Sequence, residues 1–165
     1  MKRRVVITGV GLVTPVGMGI DNVWKRLLNG ESGIAPLTRF DSTPHDTKIA
    51  GEVKDFKADE YISVKELKRM DLFIQYALAA AKIAINDSGL DMSKEDAERA
   101  GVVVGTGLGG LPTLEKYHSV YLERGPGRIS PFFIPMLIAN EAPGHIAINY
   151  GMKGPNLSIV TACAT

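Results

Sequence analysis

Hydrophobic positions fall into two patterns along this chain. Three β-branched runs, 3–11 ("RRVVITGVG"), 100–110 ("AGVVVGTGLGG") and 156–163 ("NLSIVTAC"), are continuous rather than alternating, and small residues end each. That pattern predicts strands buried on both faces. Between them the apolar positions recur at helical spacing. Asp21 is a candidate N-cap for a helix in which Val23, Trp24, Leu27 and Leu28 share one face, and Gly30 would stop it. From Ser63 a long pattern ("SVKELKRMDLFIQYALAAAKIAINDSG") predicts helix, in one or two pieces, ending at Gly89; its alanine-rich middle implies close packing. A further helix is expected over 111–125, where Pro112 is tolerable only in the first turn. One or two short helices follow over 136–151, with a break expected at Pro143 and Gly144. Segment 32–48 is turn-rich, 49–53 ("IAGEV") reads as a short strand, and 125–135 reads as a Pro/Gly loop. Strands separated by helices predict α/β layering around a mainly parallel sheet.

Composition narrows the function classes. The 165 residues carry a formal net charge of +1, with 45% hydrophobic and 22% charged residues. Such a balance fits a globular domain and gives no global attraction to nucleic acid or anionic membrane. A single cysteine excludes a disulfide framework and a cysteine-rich zinc site. The basic start followed by an apolar run superficially copies a signal peptide, but Thr8, Gly9 and Gly11 interrupt it and a first strand is the better reading. No run approaches the ~18 consecutive apolar residues of a membrane span. A reducing, cytoplasmic location is therefore expected.

Two glycine patterns invite a nucleotide reading. "GTGLGG", with Gly105, Gly107 and Gly110, satisfies G-x-G-x-x-G between a strand and a helix. The acid expected about 20 residues later, at the end of another strand, falls instead on Glu123 or Gly125, at a helix end. Tyr61 and Lys65 make a Y-x-x-x-K pair, a spacing that arises readily by chance. A nicotinamide-dependent reductase thus stays the weaker alternative. Close approach of the backbone to a neighbour or ligand explains Gly107, Gly109 and Gly110 at least as well. The sequence has no P-loop and no H-E-x-x-H; His45, His118 and His145 are dispersed, so no metal is expected.

The lone thiol, Cys163, directly follows an apolar run and is flanked by Ala162, Ala164 and Thr165, residues small enough to let a substrate approach. A helix beginning there would offer free N–H groups that stabilise a thiolate, whose ordinary pKa is about 8.5, and that receive the oxyanion of an attacked thioester. Judged on these residues alone, a small buried apolar cysteine is as good a reading.

Several motifs together tip that balance. "VVITGVGLVTPVG", "SGI", "MDLFIQYA", "GTGLGG", "ISPFFIP" and "GPNLSIVTACAT" stand in the order and spacing of the β-ketoacyl-[acyl-carrier-protein] synthases, condensing enzymes of the thiolase superfamily. The whole chain resembles their N-terminal part, closest to the type II synthases, and "TACAT" is similar to their T-A-C-[TAS]-[ST] box. The resemblance implies a thiolase-like α/β fold, five-layered α-β-α-β-α in the complete, usually homodimeric enzyme, with this chain most of the N-terminal half. It implies that Cys163 is the acyl-accepting nucleophile, its backbone N–H part of the oxyanion hole. Leu108 would sit at the mouth of the acyl pocket, and Phe133 and Ile134 would line it across the dimer interface. Lys65, Lys68, Arg69 and Arg128 would receive an acidic acyl carrier protein. No cofactor is implied, since phosphopantetheine arrives on the carrier with the fatty acyl and malonyl thioesters.

Two local departures stand out. Glu141 and Pro143 occupy positions that are usually apolar and small, so the helix there is expected to be rearranged, and Gly127 replaces a common basic residue in the docking patch. The family's downstream histidines, lysine and gating phenylalanine have no counterpart here, and the helix that should activate Cys163 would begin where the sequence stops. On that ground the 165 residues are expected to be part of a longer synthase and, alone, neither to fold stably nor to condense acyl groups. Fatty-acid and polyketide synthases share these motifs. A non-catalytic partner subunit of the chain-length-factor type is the other rival, and it commonly lacks the cysteine.

Overall fold

A computed structural model describes residues 3–165. Its elements, in chain order, are β1 (Val13–Thr14), β2 (Gly17–Met18), α1 (Ile20–Leu28), β3 (Ile34–Pro36), β4 (Ile49–Gly51), α2 (Val64–Leu67), α3 (Leu72–Ser88), β5 (Val102–Gly105), α4 (Leu111–Arg124), α5 (Phe133–Leu137), α6 (Glu141–Tyr150) and β6 (Asn156–Ile159). They form two compact units: the chain up to Lys57 together with Lys82–Gly89, and Ala58–Ala81 together with Leu90–Thr165.

In the first unit, β1 pairs with β2 and β3 with β4, both antiparallel. β4 falls within the strand expected at 49–53, whereas β3 lies in a stretch read as irregular. The strand expected over 3–11 is absent: these residues carry no regular structure. Val5 and Ile7 are 91% and 87% exposed, and the Val10 N–H donates to the Asp87 carboxylate at 2.8 Å. β-branched residues favour an extended chain, but a strand exists only where a neighbour takes its hydrogen bonds. Helix α1 forms as expected, yet its cap is Gly19 rather than Asp21, which lies in the first turn. Only Val23 of its apolar face is buried, while Trp24 is 61% exposed.

The second unit holds the larger core. Ile74 and Leu78 of α3, one turn apart, pack with Val102 of β5 and with Ala142 and Ile146 of α6, joined by Ile62 and Met70. Ile74 is fully buried, and burying such a side chain stabilises the fold by about 1.5–3 kcal/mol. The helical pattern from Ser63 does split in two. Ser63 caps α2 through the Glu66 N–H, and α3 ends before Gly89, whose φ is +66°. The alanine-rich middle packs as expected: Ala79 is fully buried, and Ala77 and Ala81 lie against the core.

Among the described residues only β5 and β6 are parallel, in the register Val102↔Asn156 to Gly105↔Ile159; β1–β2 and β3–β4 are antiparallel, the first a tight hairpin and the second joined by a long connection. The helix break over 136–151 falls at 138–140, between α5 and α6, and not at Pro143. Pro143 lies in the first turn of α6, where a missing N–H costs nothing, and the Gly144 N–H bonds the Asn140 carbonyl at 3.1 Å. α6 runs unbroken through both Glu141 and Pro143.

Candidate active site

The site lies at the carboxyl end of the parallel pair, where α/β folds gather their ligand-binding loops. Two segments leave that edge. After β6 the chain makes a 3₁₀ turn, Ala162–Ala164, with Cys163 in its middle. After β5 comes the glycine loop 106–110. They are bound together: the Thr106 N–H donates to the Ile159 carbonyl at 3.0 Å, and a β-carbon on Gly105 would lie 2.5 Å from Cγ2 of Thr165.

Cys163 is a free, exposed thiol. Ala162 directly before it has φ +52°, a left-handed conformation in a residue other than glycine. The turn is closed by the Ala164 N–H on the Thr161 carbonyl and the Thr165 N–H on the Ala162 carbonyl. The Thr161 N–H is taken by the Thr165 hydroxyl at 2.8 Å. The helix start expected at the thiol is thus a single 3₁₀ turn here, and the amides of Ala164 and Thr165 are engaged inside it.

The glycine loop is shaped by packing. A β-carbon on Gly110 would meet the Met136 carbonyl at 2.4 Å, and one on Gly109, whose φ is +78°, would meet the Leu137 carbonyl at 2.5 Å. Gly107, central to a dinucleotide fingerprint, has open space around it. The start of α4 is also in use. The Thr113 N–H donates to the Asp71 carboxylate at 3.2 Å and the Thr113 hydroxyl donates to the same oxygen at 2.6 Å. Where a pyrophosphate would sit in a nucleotide-binding loop, this chain places its own carboxylate. The reading of Gly109 and Gly110 as close-approach residues fits this geometry; at Gly107 no protein neighbour lies within 4 Å.

Leu108 projects from the loop and is 71% exposed. Phe133 and Ile134 lie on α5, in what the sequence predicts as loop; Phe133 is half-buried against Tyr117 of α4, ring centroids 5.2 Å apart, and Ile134 is exposed. Gly109 and Gly110 abut the Met136–Leu137 backbone at the end of α5, so the loop carrying Leu108 and the helix carrying Phe133 and Ile134 are in contact. Lys65 lies in α2 and Lys68 caps its end. Arg69 follows, its guanidinium 4.3 Å from the centre of the Phe132 ring. Lys65, Lys68, Arg69 and Arg128 are all exposed. Arg69 also borders a cleft of about 380 Å³ that includes Glu66, Phe132, Glu141 and His145, with Glu141 and His145 3.6 Å apart. Among the described residues, no three His, Cys, Asp or Glu side chains are grouped to hold a metal, and no helix is long and apolar enough to cross a membrane.

Asp71 and Thr113 were not legible as site residues. An aspartate just before an apolar helical run reads as an ordinary cap, and its partner lies 42 positions away.

Known proteins place this arrangement in a family. The model of the beta-ketoacyl synthase N-terminal domain matches residues 2–165, and the chain belongs to that family. It is 49% identical over 164 residues to a 3-oxoacyl-[acyl-carrier-protein] synthase 2 of Vibrio harveyi, covering 99% of this chain and 40% of that protein. Its identity to the protein of the same name from Staphylococcus aureus is 46%, with the same coverage. The chain therefore spans about two fifths of the length of these relatives. Among solved structures, the ishigamide ketosynthase/chain length factor superposes with a TM-score of 0.87 at 31% identity, over 98% of this chain and 40% of that one. A beta-ketoacyl synthase from Burkholderia phymatum superposes with a TM-score of 0.76 at 21% identity over the same shares of the two chains. The fold is the thiolase-like α/β fold of ketosynthases.

Proposed function

We propose that this chain forms the thiol-bearing N-terminal part of a 3-oxoacyl-[acyl-carrier-protein] synthase acting in the cytoplasm, with Cys163 as acyl acceptor. The observation that carries the reading is the exposed Cys163 thiol in a turn at the carboxyl edge of β5 and β6, beside the glycine loop. There the Cys163 thiolate attacks the carbonyl carbon of an acyl thioester, an S–C bond forms, and the phosphopantetheine thiol of the carrier departs with a proton. A malonyl thioester then loses carbon dioxide, and its carbanion displaces Cys163 to give a β-ketoacyl thioester two carbons longer. The two half-reactions are ping-pong, as covalent catalysis requires. In this reading Leu108, Phe133 and Ile134 line the acyl pocket of a homodimer. An acidic acyl carrier protein docks on Lys65, Lys68, Arg69 and Arg128, and it brings the phosphopantetheine, so no resident cofactor is needed. A solved relative of the same fold is a type II PKS acyl-carrier protein in complex with its ketosynthase, which supports this kind of partner.

The likeness to a ketosynthase/chain length factor favours one second reading, a polyketide-type ketosynthase. The retained Cys163 opposes the purely non-catalytic variant. The test is intact-mass spectrometry of the whole protein after incubation with acyl carrier. One acyl mass should appear on the unaltered protein and none on Cys163→Ala. Acylation that persists in the variant overturns the assignment.

A further inference from the structure

Three elements meet at one buried carboxylate. Asp71 is only 6% exposed and stands just before α3. One of its oxygens accepts the N–H and hydroxyl of Thr113 at 3.2 and 2.6 Å, and the other accepts the Phe73 N–H at 3.3 Å. Gly110 is pressed against the same group: a β-carbon there would lie 3.2 Å from the Asp71 carboxyl carbon while also meeting Met136 and Leu137. The Gly110 N–H bonds the Leu137 carbonyl at 2.9 Å, and the Gly109 N–H bonds the Thr106 hydroxyl at 3.2 Å. The glycine loop is thus held between Asp71 and the end of α5, with Thr113 fixing the first turn of α4. One turn beyond Thr113, Tyr117 supports Phe133. Leu108, Phe133 and Ile134 all hang from parts that this carboxylate joins.

We propose that Asp71 and Thr113 are positioning residues that set which acyl chain lengths the site accepts. They do so by locking the 106–110 loop against α4 and α5. The proposal rests on the acyl-transfer reading above. A carboxylate paired to a hydroxyl and two amides in a buried place is a strong, directional tie, and neither residue needs to touch the substrate. The Cys163 turn is packed instead against β5, through Gly105 and Thr165. Slackening the tie therefore changes how sharply the pocket mouth is defined while leaving the sulfur in place.

The experiment uses the whole protein with Thr113→Val, which keeps the side-chain shape and removes the hydroxyl, and Thr113→Ser, which restores it. Hydrogen exchange at Gly109 and Gly110 should quicken about tenfold in Thr113→Val, with amides of β6 unchanged. The ratio of kcat/KM between short and long acyl-carrier substrates should fall by about three- to tenfold, the span of one lost hydrogen bond. Thr113→Ser should recover both. If Thr113→Val does not yield folded protein, Asp71→Asn is read by the same two measures. Unchanged loop exchange, or an unchanged ratio with only a uniform loss of rate, overturns the proposal. Absence of any Cys163 adduct on the unaltered protein overturns the acyl-transfer reading instead, and the loop exchange still decides whether Asp71 and Thr113 hold the loop.

Discussion

Adding one methyl group at Gly110 should cost far more than adding one at Gly107, although both sit in the same glycine-rich stretch. At Gly110 φ is −82°, so alanine meets no dihedral penalty and the whole cost is steric. Its β-carbon would lie 2.4 Å from the Met136 carbonyl oxygen and 3.1 Å from the Leu137 α-carbon. Ordinary C···O contacts begin near 3.3 Å, so the loop or the end of α5 must retreat by about 1 Å. Overpacking of this kind costs about 1–3 kcal/mol. The retreat also stretches the Gly110 N–H to Leu137 bond, 2.9 Å at rest, for about another 1 kcal/mol. Gly110→Ala should therefore lose about 2–4 kcal/mol, which at ordinary urea sensitivities moves the unfolding midpoint down by at least about 1 M. Gly107→Ala meets nothing within 4 Å, and restricting the unfolded chain should leave it neutral or more stable by up to about 1 kcal/mol. Urea denaturation of the whole protein, followed by circular dichroism, measures both. Equal midpoints for the two variants would refute the account of this loop as packed rather than ligand-binding.

Two further outcomes follow from charges. Reversing Lys65 and Lys68 to glutamate should weaken binding of an acidic acyl carrier protein by about tenfold at low salt, with the difference shrinking as ionic strength rises; a titration that is indifferent to salt would remove these residues from the docking surface. Glu52, whose carboxylate accepts the Thr38 hydroxyl at 2.7 Å and the N–H groups of Thr38 and Arg39, is held below the usual glutamate range chiefly by the Thr38 hydroxyl. Its folded pKa lies below its unfolded one, so it stabilises above about pH 4.5 and that contribution is lost as pH falls through the folded value. In Thr38→Val the Glu52 carboxyl should titrate closer to 4.5 by NMR, and an unmoved titration would sink the assignment of cause.

Local signals in the sequence carried over where a single residue decides the outcome. The helical start at Ser63, Pro112 in the first turn of α4 and Gly89 after α3 are each fixed by chemistry within a few positions. What depends on distant partners did not carry over. The run Val5–Ile7 has every local mark of a strand but pairs with no strand among the described residues, and Trp24 keeps helical phase while staying 61% exposed. Pro143 looked like a break because proline usually is one, yet it fell in the one turn that does not need its N–H. At the site, the small residues around Cys163 and the glycines before α4 were visible in the letters. The carboxylate packed against Gly110 was not, because the Asp71–Thr113 tie leaves no periodic trace.

Ala162 offers a last consequence. Holding alanine at φ +52° charges the fold about 1–2 kcal/mol that glycine would not incur. Selection for heat tolerance alone would replace it, gaining stability and letting the neighbouring sulfur swing. Retention of alanine would mark a position where a fixed aim for the Cys163 thiol outweighs thermal robustness, and a library varied at this one codon would separate those two pressures.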